Sequence, residues 1–369
     1  MDRIHITING REIEAARGMT VLDAARSAGI YIPTLCHHPD LEAYGGCRLC
    51  VVEIENMRGL PTACTTPVTE GMNVTTESPA IDGVRRTSLE LLLSTHPCDC
   101  LECHRRERCG PYDVCLRHVA VTDRCVTCPS NGDCELQTVV DYVGLHELRI
   151  PRDTSTVAVD TSNPFFDFDR YRCILCSRCV RTCQEITGVG AIDMARRGYD
   201  MTVATFGETK LMDSICRSCG ECVVRCPVGA LMPRENQKPD RDVRTVCTYC
   251  GVGCRMYLGI KGDKVVCVRG DEKGPANQGR LCVKGRFGIA EFVNHPERLT
   301  VPLVRKNGRL EESTWDEALA IVAGRLQHYD GDEVAVISSA KSTNEDNYVM
   351  QKFARAVLGT NNVDHCARL

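Results

Sequence analysis

The sequence predicts an α+β multidomain protein, a series of small domains organised by cysteine clusters rather than by one large core. Three observations predict it. The chain has 369 residues, which at roughly 100–200 residues per domain allows about two to four domains. Its 26 cysteines fall in blocks at 36–64, 98–134, 173–183, 216–226 and 247–282, with Cys366 alone. The local pattern also changes along the chain, from alternating strand residues at the start to strand–helix alternation at the end.

Composition narrows the chemistry. Apolar residues make up 43% and aromatics only 5%, so bulky side chains for building cores are scarce. So much sulfur serves either a disulfide framework or metal ligation. The chain is far longer than a disulfide-stapled mini-protein, and its cysteines sit in Cys-x-x-Cys units whose thiols converge. The start, Met-Asp-Arg-Ile-His-Ile-Thr-Ile, lacks the basic-then-apolar pattern of a signal peptide. No apolar run approaches the ~20 residues of a membrane span. A net charge of −4 offers no basic stripe for nucleic acid. The expectation is a cytoplasmic metalloprotein with no membrane span and no nucleic-acid partner.

Residues 1–80 begin with Ile4, Ile6 and Ile8, then Asn9-Gly10, then Ile13. That reads as a β-hairpin with a two-residue turn. Thr20 can cap a helix carrying Val21, Leu22, Ala25 and Ala28 inward and ending at Gly29. Hairpin plus helix opens a β-grasp fold. Cys36, Cys47, Cys50 and Cys64 follow, and Gly45-Gly46 lets backbone amides approach inorganic sulfide closely. Four such thiolates suit a [2Fe–2S] cluster. A zinc site needs the same four, but zinc motifs usually pair two short Cys-x-x-Cys units.

Residues 81–150 start with a helix that ends before His96-Pro97. Then comes His96-x3-Cys100-x2-Cys103-x5-Cys109. Up to this point the chain resembles the amino-terminal electron-transfer region of the large peripheral subunit of complex I. The same region occurs in iron-only hydrogenases and in cytoplasmic formate dehydrogenases. In that family the pattern binds a [4Fe–4S] cluster through one imidazole and three thiolates, which makes the cluster less negative.

The sequence departs from the family by carrying the Cys-x2-Cys-x5-Cys unit twice. The first copy, Cys100, Cys103 and Cys109, keeps the family's His-Pro-x-Asp-Cys opening. The second, Cys125, Cys128 and Cys134, keeps its Asn-Gly-Asp-Cys-Glu-Leu-Gln ending at 131–137. The reading assigns His96 to the first set and Cys115 to the second, giving two sites, the second holding a [4Fe–4S] cluster or zinc. The alternative is one cluster, with the other cysteines free or on a structural metal. His104 and His118 read as exposed histidines, with His118 an available ligand.

Residues 165–240 hold two matching runs, Cys173, Cys176, Cys179, Cys183 and Cys216, Cys219, Cys222, Cys226, the last followed by Pro227. This is the two-cluster ferredoxin pattern, in which the fourth cysteine of each run ligates the other cluster. Cys226 then completes the first [4Fe–4S] site and Cys183 the second. Polar, proline-containing stretches near 151–164 and 233–242 are candidate joints.

Residues 243–300 contain Cys247, Cys250, Cys254 and Cys282, with Lys284 two positions beyond the last. This block resembles the cluster domain of molybdopterin oxidoreductases, specifically formate dehydrogenases. The resemblance implies a [4Fe–4S] cluster here, with Lys284 between cluster and pterin as an electron relay. The bland alternative for Lys284 is a solvated surface lysine. Cys267, in a valine-rich strand, reads as a buried core thiol.

Residues 301–369 turn to α/β. Thr314 or Ser313 can cap a helix over 315–328 with Ala318, Leu319, Ile321, Val322 and Leu326 inward. Residues 334–337 read as a short buried strand and 344–358 as a helix closed by Gly359. Such alternation signals a doubly wound sheet, and this stretch supplies roughly one unit of it. The domain therefore reads as the beginning of a molybdopterin-binding domain.

The segment 360–369 resembles the stretch preceding the metal-ligating cysteine or selenocysteine of formate dehydrogenases. The expectation is a chain cut at a selenocysteine codon, against a split gene or a dedicated electron-transfer subunit. Cys366 reads as a nearby structural thiol.

By resemblance, the intact protein oxidises formate to CO2 on molybdenum or tungsten held by two pterin guanine dinucleotides. It passes electrons through one [2Fe–2S] and four or five [4Fe–4S] clusters, one of them replaceable by zinc. The partners implied are a flavin- and NAD(P)-binding subunit or a ferredoxin-linked one. The 369 residues by themselves are not expected to oxidise formate. The alternative is a non-catalytic electron-transfer subunit of a hydrogenase or complex I-like assembly.

Overall fold

A computed structural model describes residues 3–151, 158–234 and 237–366. The chain forms two compact units, Met1–Arg234 and Glu235–Leu369. The division falls in the expected joint near 233–242. The other expected joint, near 151–164, lies inside the first unit, and its residues 152–157 are outside the described ones.

The first unit opens with strands β1 (Arg3–Ile8) and β2 (Arg11–Ala16), antiparallel and in register from Arg3↔Ala16 to Ile8↔Arg11. Asn9 and Gly10 both take positive φ, 52° and 77°, which the twist of a two-residue hairpin requires. Helix α1 (Val21–Ser27) starts at a capping box: the Thr20 hydroxyl accepts from the Asp23 amide and the Asp23 carboxylate accepts from the Thr20 amide. Short strands β3 (Glu53–Ile54) and β4 (Asn73–Thr75) complete a four-stranded sheet of order β2-β1-β4-β3, in which β4 runs parallel to β1. Ile6, Ile8, Val21, Leu22, Val52 and Val74 fill the core beneath it.

Helix α2 (Pro79–Leu93), capped by Ser78, and α3 (Glu135–Val143) frame the second cysteine block. Strands β5 (Phe166–Phe168) and β8 (Leu231–Pro233) pair antiparallel, as do β6 (Asp193–Ala195) and β7 (Thr202–Ala204). Short helices α4 (Arg178–Arg181) and α5 (Glu221–Val224) follow the cysteine loops between them. A second core runs through this region. It combines Leu35, Leu49, Leu89, Leu93, Leu136, Val139, Ile174 and Val228 with the buried thiols of Cys36, Cys47, Cys98 and Cys125.

The second unit is built on a three-stranded antiparallel sheet of β9 (Arg241–Val246), β10 (Arg255–Lys261) and β11 (Lys264–Gly270), with β10 central. Cys267 on β11 is half-buried rather than fully buried: it lies outside the core of Met256, Val265, Val268 and Leu281, with its sulfur over the bare backbone of Gly259 across the ladder. A π-turn over Lys284–Gly288 leads into α6 (Ile289–Asn294), and the hairpin β12 (Leu303–Lys306) and β13 (Arg309–Glu312) follows.

Helix α7 (Trp315–Leu326) is capped by Thr314 rather than Ser313, and none of its residues is buried. Its expected inner residues Leu319 and Val322 are more than half exposed. The expected strand is shorter too. β14 (Val336–Ser338) pairs in parallel with β15 (Val363–His365) across helix α8 (Asn344–Ala356), and of β14 only Val336 is buried. Two strands are too narrow to cover either helix, so the apolar faces read from the sequence stay open.

Candidate metal centres

The loop carrying Cys36, Cys47 and Cys50 folds over α1, and all four cysteines of this block, including Cys64, are buried. The thiols meet in pairs. Cys47 donates to Cys36, whose pKa falls to about 6, and Cys50 donates to Cys64, whose pKa falls to about 7. Backbone amides of Gly46 and Gly45 also point at Cys36 and Cys64. A Cβ on Gly46 would sit 2.3 Å from the Tyr44 ring, so only glycine lets the chain pass that close.

Three buried arginines hold this loop from outside it. Arg85 of α2, 2% exposed, donates from Nε to the Leu49 carbonyl at 3.0 Å and from Nη2 to the Val51 carbonyl at 3.2 Å. Arg181 of α4 donates to the carbonyls of Cys36 and Glu42 and lies over the Tyr44 ring. Arg225 donates to the Asp40 carboxylate at 2.6 Å. The sequence reading missed all three. For two of them the available signal was an arginine within a cysteine run, Arg181 between Cys179 and Cys183 and Arg225 between Cys222 and Cys226.

The eight cysteines at 173–226 divide between two cavities. One is lined by Cys173, Cys176, Cys179 and Cys226. The other, about 490 Å3 including its mouth, is lined by Cys183, Cys216, Cys219 and Cys222. Each group therefore combines three cysteines of one run with the last cysteine of the other. Burial pushes the Cys173 thiol up to about 12 and raises Cys179 and Cys222 well above the ordinary thiol value. Thiols so desolvated become ligands only if a cation replaces their protons.

The 98–134 block also divides in two, but not as its spacing suggests. Cys100, Cys103, Cys109 and Cys115 line one cavity. His96, Cys128 and Cys134 line another. Cys125 stands in the wall between them and lines both. His96 and Cys115 thus exchange places relative to the expected sets. The physical reason is that residues 97–124 loop out, so the second copy, not the first, returns to the imidazole. His96 is buried, and its Nδ1 lies 3.1 Å from the Pro97 carbonyl, which favours the tautomer with the lone pair on Nε2. His104 and His118 are exposed.

In the second unit, Cys247 and Cys254 are joined by a 2.8 Å bond from the Cys247 amide to the Cys254 carbonyl. Burial raises the Cys254 thiol, and so do the charges of Cys247, Cys250 and Cys282, so all four groups lie near one another. Asn277 shapes the loop before Cys282 by bonding both sides of Arg255 and the Arg280 carbonyl. Asn344, at the start of α8, donates to the Gly251 carbonyl at 2.6 Å. Lys284 is exposed and opens the π-turn directly after Cys282-Val283. Cys366 is exposed, with its sulfur 3.4 Å from the Ser339 hydroxyl.

The pockets fit clusters better than single ions. A tetrahedral zinc brings its sulfurs to within about 3.8 Å of one another. Among the described residues no three His, Cys, Asp or Glu side chains gather that way. Arg178 is buried, and its Nε has no hydrogen-bond acceptor. Cys176 and Cys226 act electrostatically on its guanidinium. Cluster sulfurs bound by those thiols would supply the acceptor such a group needs.

Four protein families match. Residues 1–79 match a 2Fe-2S iron-sulfur cluster binding domain, and 163–232 the ferredoxin-like domain of NADH-quinone oxidoreductase subunit 3. Residues 240–295 match the molybdopterin oxidoreductase Fe4S4 domain, and 298–369 the molybdopterin oxidoreductase domain. The chain is therefore an iron–sulfur electron-transfer region of a molybdopterin oxidoreductase, with the α+β multidomain architecture read from its sequence. It is 36% identical over 99% of its length to an NADH-quinone oxidoreductase subunit of Rhizobium meliloti. It is 33% identical over 99% to the NADPH-Fe(3+) oxidoreductase subunit alpha of Geobacter sulfurreducens. It is 29% identical over its full length to a Staphylococcus haemolyticus protein named "Putative formate dehydrogenase". The chain spans about 40% of the length of these relatives. A solved NAD+-reducing [NiFe]-hydrogenase chain is 30% identical, with a TM-score of 0.49, over 63% of this chain and 87% of its own. Among the described residues no helix is long and apolar enough to cross a membrane.

Proposed function

We propose that this chain conducts electrons for a molybdenum- or tungsten-dependent formate dehydrogenase. One observation carries the reading: the thiols of successive sites share one apolar core, from Cys36 and Cys47 through Cys125 and Cys134 to Cys173 and Cys226. The Cys134 thiol is further raised by the charge of Cys226, and the Cys179 thiol by the charge of Cys222. Neighbouring sites in a low-dielectric interior form a path for single electrons.

The [2Fe–2S] site is Cys36, Cys47, Cys50 and Cys64. [4Fe–4S] sites are His96 with Cys125, Cys128 and Cys134; Cys173, Cys176 and Cys179 with Cys226; Cys183 with Cys216, Cys219 and Cys222; and Cys247, Cys250 and Cys254 with Cys282. Such clusters supply one-electron chemistry, and a pterin-held metal takes two electrons from formate. This chain's own residues hold and insulate the path. Lys284, beside Cys282, is assigned the position facing the pterin, where its ammonium favours arrival of an electron at the cluster. The partner that receives the electrons carries flavin and NAD(P) or is linked to ferredoxin.

The second reading is a complex I-like electron-transfer subunit, favoured by the 36% identity to an NADH-quinone oxidoreductase subunit. The test is to purify the protein with its native partners and follow its clusters by EPR. Reduction by formate supports the first reading. Reduction by NADH or NADPH with formate inert moves the assignment to the second. Fewer than about ten irons per fully loaded chain removes both.

A further inference from the structure

We propose that residues 98–124 hold an additional [4Fe–4S] cluster on Cys100, Cys103, Cys109 and Cys115, adjoining the His96 site. The inference rests on the reading that the other sites hold clusters. No matched family covers this stretch.

The first argument is conformational. No residue from 102 to 124 is buried. Tyr112 is 98% exposed and Val114 83%. The only regular structure within that stretch is two single 3-10 turns, Arg106–Arg108 and Val121–Asp123. Ordering backbone costs roughly 1–2 kcal/mol per residue, and here no apolar burial offsets it. A metal group tying four points of the segment together does what the core does elsewhere.

The second argument is the cavity. All four thiols line one space of about 490 Å3, mouth included, distinct from the one lined by His96. Arg105, Arg106, Arg117 and Arg124 also line it. Arg106 is paired with Asp141 and Arg117 with Glu102, which leaves Arg105 and Arg124 against one lining carboxylate, Asp99. That excess of positive charge suits four thiolates around an anionic cluster.

The third argument is adjacency. Cys125, a wall residue of both cavities, donates its thiol proton to Cys100. The two sites are therefore neighbours through a single pair of sulfurs, and an electron on one has direct access to the other. The added cluster becomes a side station next to the histidine site.

The test is iron, sulfide and zinc analysis of the anaerobically prepared full chain and of its Cys109→Ala/Cys115→Ala variant. One [2Fe–2S] and five [4Fe–4S] clusters bring about 22 irons, and four [4Fe–4S] about 18. The expected result is about 22 irons in the parent and about four fewer in the variant, with the EPR signals of the other clusters retained. A parent with about 18 irons, or one zinc that the variant loses, overturns this proposal and leaves the other sites standing. A parent below about ten irons overturns the underlying reading itself. The parent's count decides the matter even if the variant does not fold.

Discussion

Gly229 stands directly behind Cys128: a Cβ built on Gly229 would lie 2.6 Å from the Cys128 sulfur. The turn that follows Cys226 is thereby pressed against the neighbouring thiol site. Sulfur and carbon cannot share that space, so Gly229→Ala must displace the Cys128 side chain. The expected outcome is loss of the cluster at the His96 site, about four irons per chain, with the [2Fe–2S] spectrum unchanged. Iron analysis with low-temperature EPR checks it, and full iron content in the variant would sink the assignment of Cys128.

Replacing the imidazole tests the other end of that site. His96→Cys exchanges a neutral ligand for a thiolate and adds one negative charge to the cluster. Its reduction potential should fall, while iron content stays constant. An EPR-monitored redox titration reads the shift. An unchanged potential for every cluster would place His96 outside the ligand set.

Arg85 should control the life of the [2Fe–2S] site. Arg85→Met leaves the carbonyls of Leu49 and Val51 without their side-chain donor, at a cost of about 2–4 kcal/mol. Chelator-driven bleaching of the cluster should accelerate at least tenfold, and Arg85→Lys should restore only part of the loss because one ammonium cannot reproduce the fork. Bleaching at the parent rate would show that the loop holds itself.

Acid sensitivity should trace in part to Glu90. Its carboxylate is buried on α2 and takes bonds of 2.7–3.1 Å from Arg149. The Arg149 guanidinium lowers its pKa. A carboxylate depressed on folding stabilises fully above its unfolded pKa of about 4.3 and loses that contribution as pH falls through the folded value. Glu90→Gln should therefore lower the thermal midpoint at pH 7, and the gap from the parent should close below about pH 4. A gap independent of pH would mean that packing, not charge, is lost.

Local features were legible because local chemistry decides them. Asn9-Gly10 can hardly be anything but a hairpin turn, and Thr20 with Asp23 marks a helix start from sequence alone. The crossed grouping of Cys183 and Cys226 was legible because the paired runs carry the two-cluster ferredoxin pattern, in which the fourth cysteine of each run ligates the other cluster. His96 and Cys115 were not legible in the same way. Two identical Cys-x2-Cys-x5-Cys units compete for one histidine, and spacing favours the nearer while the fold chooses the farther. The arginine clamps at Arg85, Arg181 and Arg225 escaped for a related reason: a charged residue reads as surface until tertiary structure supplies carbonyls for it. The open faces of α7 and β14 are the converse case, where an apolar pattern correctly marks a helix or strand but does not say what covers it.

The bond from Asn344 to the Gly251 carbonyl spans 93 residues of sequence. Gly251 follows Cys250 directly, so a helix far downstream fastens the loop that presents this thiol. A piece of the chain ending before residue 344 would keep every cysteine of this centre and still lack that fastening. The extent of the site is therefore wider than its set of ligands, and a substitution at Asn344 would reach Cys250 without touching any thiol.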